Sequence, residues 1–393
     1  MFNYIVVGSG FSGAVIAERI ANVLNQKVLI IEKRNHIGGN CYDYKDENNI
    51  IVHKYGPHLF HTDYKDVFDY LSNFTDWQLY QHRVLAFIDG KKVPIPFNLN
   101  TLYDIFPKNL AEKLENKLTT KYRYNSKVPI LDLLREEDGD LKFLANYIYE
   151  KVFKNYTAKQ WGMRPEEIDP KVTSRVPVYI SRDNRYFTDK YQSIPKDGYT
   201  KIFERMLNHQ NIKIMLSTDF KEMISIDYEN RKIFFMGQEF KGKLIFTGMI
   251  DELFNFKYGY LPYRSLDLKF ETIDKEYYQE APVVNYPNDY DYTRITEFKH
   301  IHPVKSDKTT ILKEYPKDYQ PNKDIPYYPV FTKENQESYD KYKEESDKFK
   351  NLILLGRLAE YRYYDMDDAV KRALEVFEER VKWSKYIKIL KSL

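Results

Sequence analysis

A single cysteine, Cys41, occurs in 393 residues. No disulfide can close within the chain, and such usage suits a reducing cytoplasm. A lone thiol usually behaves as a small hydrophobe, so Cys41 is read as a buried residue rather than a nucleophile. Long apolar runs are also missing. No 18-residue apolar stretch exists, so no membrane span is expected. The N-terminus enters a strand pattern at once, leaving no room for a signal peptide. Excess charge of either sign is absent: 61 basic against 58 acidic residues leave +3. That balance gives no field for nucleic acid, so an anionic ligand must be gripped by a few placed arginines. Metal-binding spacing is lacking too. His58 and His61 stand three apart with no evident third ligand and no H-E-x-x-H, and no metal is expected. There is no repeat, low-complexity tract or long linker.

What is present is organised. At 393 residues the chain exceeds one simple core, and two or three domains are expected. "YIVV" (4–7) is a short apolar strand, followed by Gly8, Gly10 and Gly13 in G-x-G-x-x-G spacing. Val15, Ile16, Ile20 and Val23 then recur at helical spacing, and "KVLII" (27–31) is a second buried strand ending at Glu32. Strand, helix, strand and terminal acid in register predict a Rossmann-like dinucleotide site. Gly8 makes the turn, Gly10 admits a pyrophosphate, and Gly13 lets helix and strand pack closely. The pyrophosphate would rest on the helix N-terminus. Glu32 would accept ribose hydroxyls, and its charge argues against a 2′-phosphate. Gly38 and Gly39 follow in "EKRNHIGGNCYDY", which suits a backbone passing close to a second phosphate or ribityl chain. This segment resembles the start of FAD-dependent oxidoreductases and amine-oxidase-like proteins. "KLIFTG" (243–248) and "NLILLGRLAEYRYYDMDDAVKRALEVF" (351–377) read as further pieces of the same sheet. In the second piece Asp367 or Asp368 is expected to cap a helix whose apolar face is Val370, Ala373, Leu374 and Phe377.

Between these pieces lie insertions. "HRVLAFIDGKKVPIPF" (82–97) predicts a hairpin turning at Asp89-Gly90. Helices follow Pro107; Pro129 sits near one start, and Leu141, Leu144, Ala145, Ile148 and Val152 share one face of another. Residues 260–330 alternate as an antiparallel sheet with one wet face would, and His300 and His302 fall on one of those strands. The charge-rich stretch 333–350 reads as a solvated helix or loop. Arginines interleave with aromatic residues in "NYTAKQWGMRPEEI" (155–168) and "TSRVPVYISRDNRYF" (173–187). Any one of these arginines is more simply just solvated. Together, such rings can stack on a base or sugar, while guanidinium forks bind phosphates bidentately. Tyrosine is abundant, at 36 residues, and most are expected to be packing residues with a wet hydroxyl edge.

The ordered set "GSGFSGAVIAERIA", "IEKRNHIGGNCYD", "YGPHLFHT", "NYTAKQWG", "TSRVPV", "DNRYF", "YTRITEFKH", "EYP" and "GRLAEYRYYDMDDAV" resembles the bacterial UDP-galactopyranose mutases from residue 8 to about 370. The resemblance implies an α/β fold: a discontinuous Rossmann-like FAD-binding domain, an inserted α-helical domain and an antiparallel, six-stranded sheet domain. Mapped here, the FAD part would occupy 1–81, 196–255 and 341–393. Residues 82–97 would join the sheet part at 179–195 and 256–340, and 98–178 would be helical with a mobile loop. The implied reaction interconverts UDP-galactopyranose and UDP-galactofuranose without net redox. Reduced FAD N5 attacks the anomeric carbon, UDP departs, and an iminium assists ring opening and contraction. By motif match, Gly8, Gly10, Ser12, Gly13, Glu32, Lys33, Gly39, Asn40, His58, His61, Gly356, Arg357, Asp365 and Met366 would hold the cofactor. Tyr156, Thr157 and Trp161 would meet the uridine. Arg175 and Arg294 would clamp the diphosphate, with Tyr186, Tyr328 and Tyr363 beside diphosphate and sugar and Asn285 and Arg264 on the sugar and flavin side. Arg175, Arg294, His61, Tyr328 and Tyr363 are the expected catalytic set. Adjacent tyrosines leave 327 against 328 and 363 against 364 open. Leu59 falls near the sugar's 2-substituent, leaving an N-acetylated substrate open. An external reductant, a homodimer and a role in cell-surface polysaccharide biosynthesis are also implied. The competing readings are an amine-oxidase-like oxidoreductase and a nucleotide-sugar-binding module without turnover.

Overall fold

The structure, a computed structural model, describes residues 2–163 and 177–382. Its centre is a parallel sheet. In spatial order its strands are Ile212–Met215, Val28–Ile31, Tyr4–Val7, Lys243–Phe246 and Leu352–Leu354. Parallel strands are covered on both faces, which is why these runs are almost wholly apolar. Alternation within Tyr4–Val7 sorts the residues between two cores. Tyr4 and Val6 join helices Phe11–Leu24, Tyr199–Leu207 and Met366–Val376, while Ile5 and Val7 join Ile250, Leu253, Tyr342 and Phe349. The sheet thus draws its strands from the start, middle and end of the chain, as the motifs predict. The last helix is capped by Asp365 in a box with Asp368, ahead of the expected cap at Asp367 or Asp368. Asp367 is instead buried in the first turn.

A second sheet orders Tyr328–Pro329, Tyr263–Ile273, Thr309–Asp318, Arg294–Glu297, Val283–Asn285, Val84–Ile88 and Lys91–Ile95. It has seven strands rather than six. It is also mixed, because the predicted Asp89-Gly90 hairpin joins it through a parallel pairing of Val84–Ala86 with Val283–Asn285. His300 and His302 are not on a strand: a 3₁₀ turn, Phe298–His300, begins directly after Glu297.

The register carries the functional consequence. Ala86 pairs with Asn285, Asn285 with Arg294, and Arg294 with Glu314. Directly opposed residues on neighbouring strands project to the same face. Four residues from four strands therefore form one row.

Helices Leu99–Ile105, Lys108–Lys121 and Gly139–Ile148 pack over the hairpin. Asn98 and Asp138 cap the first and third through side-chain oxygens. The predicted face Leu141, Leu144, Ala145, Ile148 and Val152 is buried. A wider π turn, Tyr149–Lys154, leads into the short helix Asn155–Trp161. The charge-rich stretch forms helix Lys333–Asp347, with Tyr339 and Tyr342 buried. Among the described residues no helix is long and apolar enough to cross a membrane.

Candidate active site

One cavity opens at the carboxyl ends of the parallel strands. Gly8 turns the chain at φ +97°, and a Cβ there would lie 2.2 Å from Thr247 Oγ1. Gly10 and Gly39 face each other so closely that a Cβ on Gly39 would reach 2.8 Å from the Gly10 Cα. Glu32 closes its strand. Its Oε2 accepts from the Ser9 amide (2.9 Å) and hydroxyl (2.8 Å), and its Oε1 from the Arg34 amide (2.9 Å). The walls include Ser12, Gly13, Lys33, Asn40, His58, Gly356, Arg357, Asp365 and Met366, so every expected cofactor residue except His61 lies here.

Arg34 was not anticipated. Its Nη2 donates to Asn40 Oδ1 at 2.8 Å, its guanidinium lies 4.1 Å over the Tyr55 ring, and its buried Nη1 has no partner among the described residues. A glycine-lined cradle with an orphaned guanidinium donor fits an anionic dinucleotide. Exposed Lys33 reaches only the rim. Cys41 is buried in this wall with its thiol pushed up to about 12 by burial, which leaves it inert as a nucleophile.

His58 Nδ1 donates to the Gly56 carbonyl at 2.8 Å, so a neutral ring keeps its lone pair on Nε2. Burial, reinforced by Arg357 and Arg294, lowers its pKa to about 4. The His58 amide donates to His53 Nδ1 (2.9 Å), which places the His53 proton on Nε2, facing His302 Nε2 at 3.0 Å. Asp43, His53 and His302 have ligand atoms within 4.8 Å of one another. With both ring nitrogens engaged, neutral His53 offers a cation no lone pair. His61 lies outside this cavity. Its Nδ1 is 3.3 Å from Asp189, beyond hydrogen-bond geometry, and its ring stacks on Phe187 at 3.6 Å. Burial opposes its charge, but Asp189 prevails and raises its pKa.

These histidines set an acid limit. Burial lowers the pKa values of His36, His53, His58 (to about 4), His82 (to about 3) and His302 (to about 4). As pH falls through about 6.5 the unfolded chain takes up protons that the native chain refuses, so stability falls. His61 and His300 work oppositely: the stability they contribute is present below about 6.5 and is lost as pH rises through their raised native values. The thermal midpoint is expected to peak near neutrality and to fall steeply from pH 6.5 to 4.5. Unfolding at pH 5 should take up protons on balance, the uptake by the buried histidines being partly offset by release from Asp251 and Asp367, whose carboxyls burial raises to about 6. A flat midpoint from pH 7 to 5 would contradict this account.

A second cavity lies beside the sheet row, lined by Ala86, Ile95, Val152, Phe153, Tyr156, Thr157, Trp161, Tyr186, Asn285 and Pro287. Arg294, opposite Asn285 of that lining, acts electrostatically on His58 of the first cavity and Tyr156 of the second, and its Nε donates to Glu314 Oε1 at 2.7 Å. Glu314 is fully buried, and among the described residues neither its Oε2 nor Asn285 Oδ1 has a partner. Burial works against the Arg294 charge, but Glu314 and nearby phenols keep it firmly protonated. Burial likewise holds Tyr156 and Tyr328 neutral. Rings bridge the gap: Trp161 to Tyr328 at 5.5 Å and Tyr328 to Tyr363 at 6.1 Å, with the Arg357 guanidinium 5.9 Å from both tyrosine rings. Tyr327 instead is buried, while Tyr364 lines the first cavity. Tyr186 stands edge-on to Phe187 at 5.0 Å, which links the second cavity to His61.

Arg264 and Leu59 lie away from both cavities. Arg264 donates to the carbonyls of Gln160 and Lys159 (both 3.1 Å) and pairs with Asp318. It therefore caps the end of helix Asn155–Trp161 rather than facing a sugar. Leu59 packs on the buried cluster of Ile50, Val52 and Ile194. Arg175 lies outside the described residues, as does Arg164. Arg182 and Arg185 pair with Glu115 and Asp183. Glu314 is the acid that sequence reading missed. It sits in the "EYP" motif, but its role comes from facing Arg294 across a strand.

The family model for UDP-galactopyranose mutase matches residues 151–363, and one for an NAD(P)-binding Rossmann-like domain matches residues 6–74. The chain is 38% identical over 389 residues to dTDP-fucopyranose mutase of Escherichia coli, covering 98% of this chain and all of that one. It is 36% identical over 377 residues to UDP-galactopyranose mutase of Mycoplasma genitalium, covering 94% and 92%. A solved structure of reduced UDP-galactopyranose mutase shares its fold, with TM-score 0.72 at 16% identity over 98% of this chain and 94% of that chain. These matches extend across nearly the whole length, and by them this chain belongs to the UDP-galactopyranose mutase family of flavoenzyme isomerases.

Proposed function

We propose that this chain interconverts UDP-galactopyranose and UDP-galactofuranose with FAD in the first cavity and the nucleotide base in the second. The observation that carries the reading is Arg294, fixed by Glu314 and within electrostatic reach of His58 in the first cavity, of Tyr156 in the second and of Tyr328. When bound and reduced, the flavin supplies the nucleophile for the anomeric carbon. The protein's own part is electrostatic. Loss of the sugar leaves negative charge on the diphosphate, and a preorganised guanidinium stabilises that charge more than it stabilises bound substrate. Arg294 takes this role, and Arg175 is its proposed companion. Tyr328, held neutral by burial, and its neighbour Tyr363 present hydroxyls to phosphate. Tyr156 and Trp161 offer faces for the base, and Asn285, with its orphan acceptor, suits a sugar hydroxyl. Glu32, Arg34 and the glycine turns hold the FAD. His61, stacked on Phe187 and beside Asp189, is a proton-holding group. An external reductant, a cytoplasmic setting and a homodimer complete the proposal.

A second reading within the family rests on the 38% identity to a dTDP-fucopyranose mutase. The apolar lining by Ala86, Ile95 and Val152 suits a thymine methyl as well as a uracil edge. An amine-oxidase-like activity fits poorly, because Arg294 and Arg357 stand where an apolar cage would be required. The test is anaerobic incubation of dithionite-reduced enzyme with UDP-galactofuranose, its N-acetyl analogue and dTDP-fucofuranose, with chromatographic separation of the products. Catalytic conversion of UDP-galactofuranose is expected. Turnover of dTDP-fucofuranose alone would move the assignment to the second reading. Peroxide release with an amine, and no ring interconversion, would overturn both.

A further inference from the structure

We propose that Lys159 is a positioning residue that sets the second cavity by gripping the loop opposite its own helix. The proposal rests on the reading of that cavity as the base site. One wall is helix Asn155–Trp161, which contributes Tyr156, Thr157 and Trp161; the facing wall is Asn285 and Pro287. Asn285 ends strand Val283–Asn285, and Pro287 lies in the connection from it to strand Arg294–Glu297, whose middle lies outside the strand pairing.

Lys159 does so. Its Nζ donates to the carbonyls of Tyr286 (3.1 Å), Asn288 (2.8 Å) and Tyr290 (2.5 Å), alternate residues of a loop curled around one ammonium. All three donors of the group are used, in place of the water that a surface lysine would hold. Asn288 adds two side-chain bonds to the same helical segment: it accepts from Asn155 at 3.0 Å and donates to the Lys151 carbonyl at 3.1 Å. The grip has a fixed origin, because Arg264 holds the Lys159 and Gln160 carbonyls from the sheet side. Lys159 thus joins the two walls of the cavity while its side chain is spent on backbone.

A mere charge near an anionic ligand could be supplied equally well by arginine. A point donor inside three convergent carbonyls could not, since a planar fork directs its donors outward. The test is a titration of FAD-loaded enzyme with UDP and dTDP by tryptophan fluorescence, together with steady-state kinetics. Lys159→Met is expected to raise the nucleotide dissociation constant and KM at least tenfold. kcat should stay within about threefold, and flavin content should not change. Lys159→Arg should resemble Lys159→Met. Asn288→Ala, which loosens the same loop from its tip, should shift affinity in the same direction, and it serves where the lysine variants fail to fold. Unchanged nucleotide affinity in Lys159→Met or Asn288→Ala, or full rescue by arginine, would overturn the proposal. A wild-type enzyme that binds neither nucleotide would instead overturn the assignment of the cavity.

Discussion

Replacing Arg294 with alanine is expected to lower kcat by about 10²–10³, the effect of removing one preorganised donor from a developing oxyanion. The protein should keep its flavin, because Arg294 does not line the first cavity. The variant will also be less stable, for a separate reason. Glu314 is 0% exposed, and its Oε1 accepts from Arg294 Nε at 2.7 Å. Removing one member of a buried pair strands the other charge, at a cost of about 3–5 kcal/mol. The two effects can be separated. Arg294→Met combined with Glu314→Leu removes both charges and should recover most of the thermal midpoint, with turnover still lost. Turnover that returned together with stability would show that Arg294 acts only as a strut. Measuring kcat, flavin absorbance and the thermal midpoint on the same preparations decides between these outcomes.

Gly13→Ala is expected to yield colourless protein. The reason is close approach rather than backbone conformation. A Cβ at Gly13 would lie 2.0 Å from the Gly8 carbonyl oxygen and 3.2 Å from Val6 Cγ1. The first obstacle is backbone, so no rotamer change relieves it. The helix Phe11–Leu24 must move off its strand, carrying with it the amides that would meet the pyrophosphate. Flavin retention after gel filtration should fall below a tenth of the wild-type value, and the thermal midpoint should drop. Gly139→Ala is the control. Gly139 opens helix Gly139–Ile148, and a Cβ there would meet nothing within 4 Å. It should be neutral or slightly stabilising through loss of chain entropy in the unfolded state. Full flavin loading in Gly13→Ala would refute the close-packing role given to that residue.

The sequence by itself determined the local pieces. The glycine turn, its helix and Glu32 lie within one stretch of chain whose periodicity and turn chemistry are short-range, so their arrangement could be read directly. The same holds for the Asp89-Gly90 hairpin and the buried face of helix Gly139–Ile148. Tertiary structure alone decided which distant residues meet. Ala86, Asn285, Arg294 and Glu314 form a row only because four strands pair in one register, and a slip of one residue would turn any of them to the opposite face. That register is why Glu314 escaped notice. Arg264 was misplaced for a related reason: a guanidinium that caps helix carbonyls and one that meets a ligand look alike in sequence, and only the packing of Gln160 against it separates them. Local pattern follows from bonds along the chain, whereas the site follows from hydrogen-bond ladders and burial between segments two hundred residues apart.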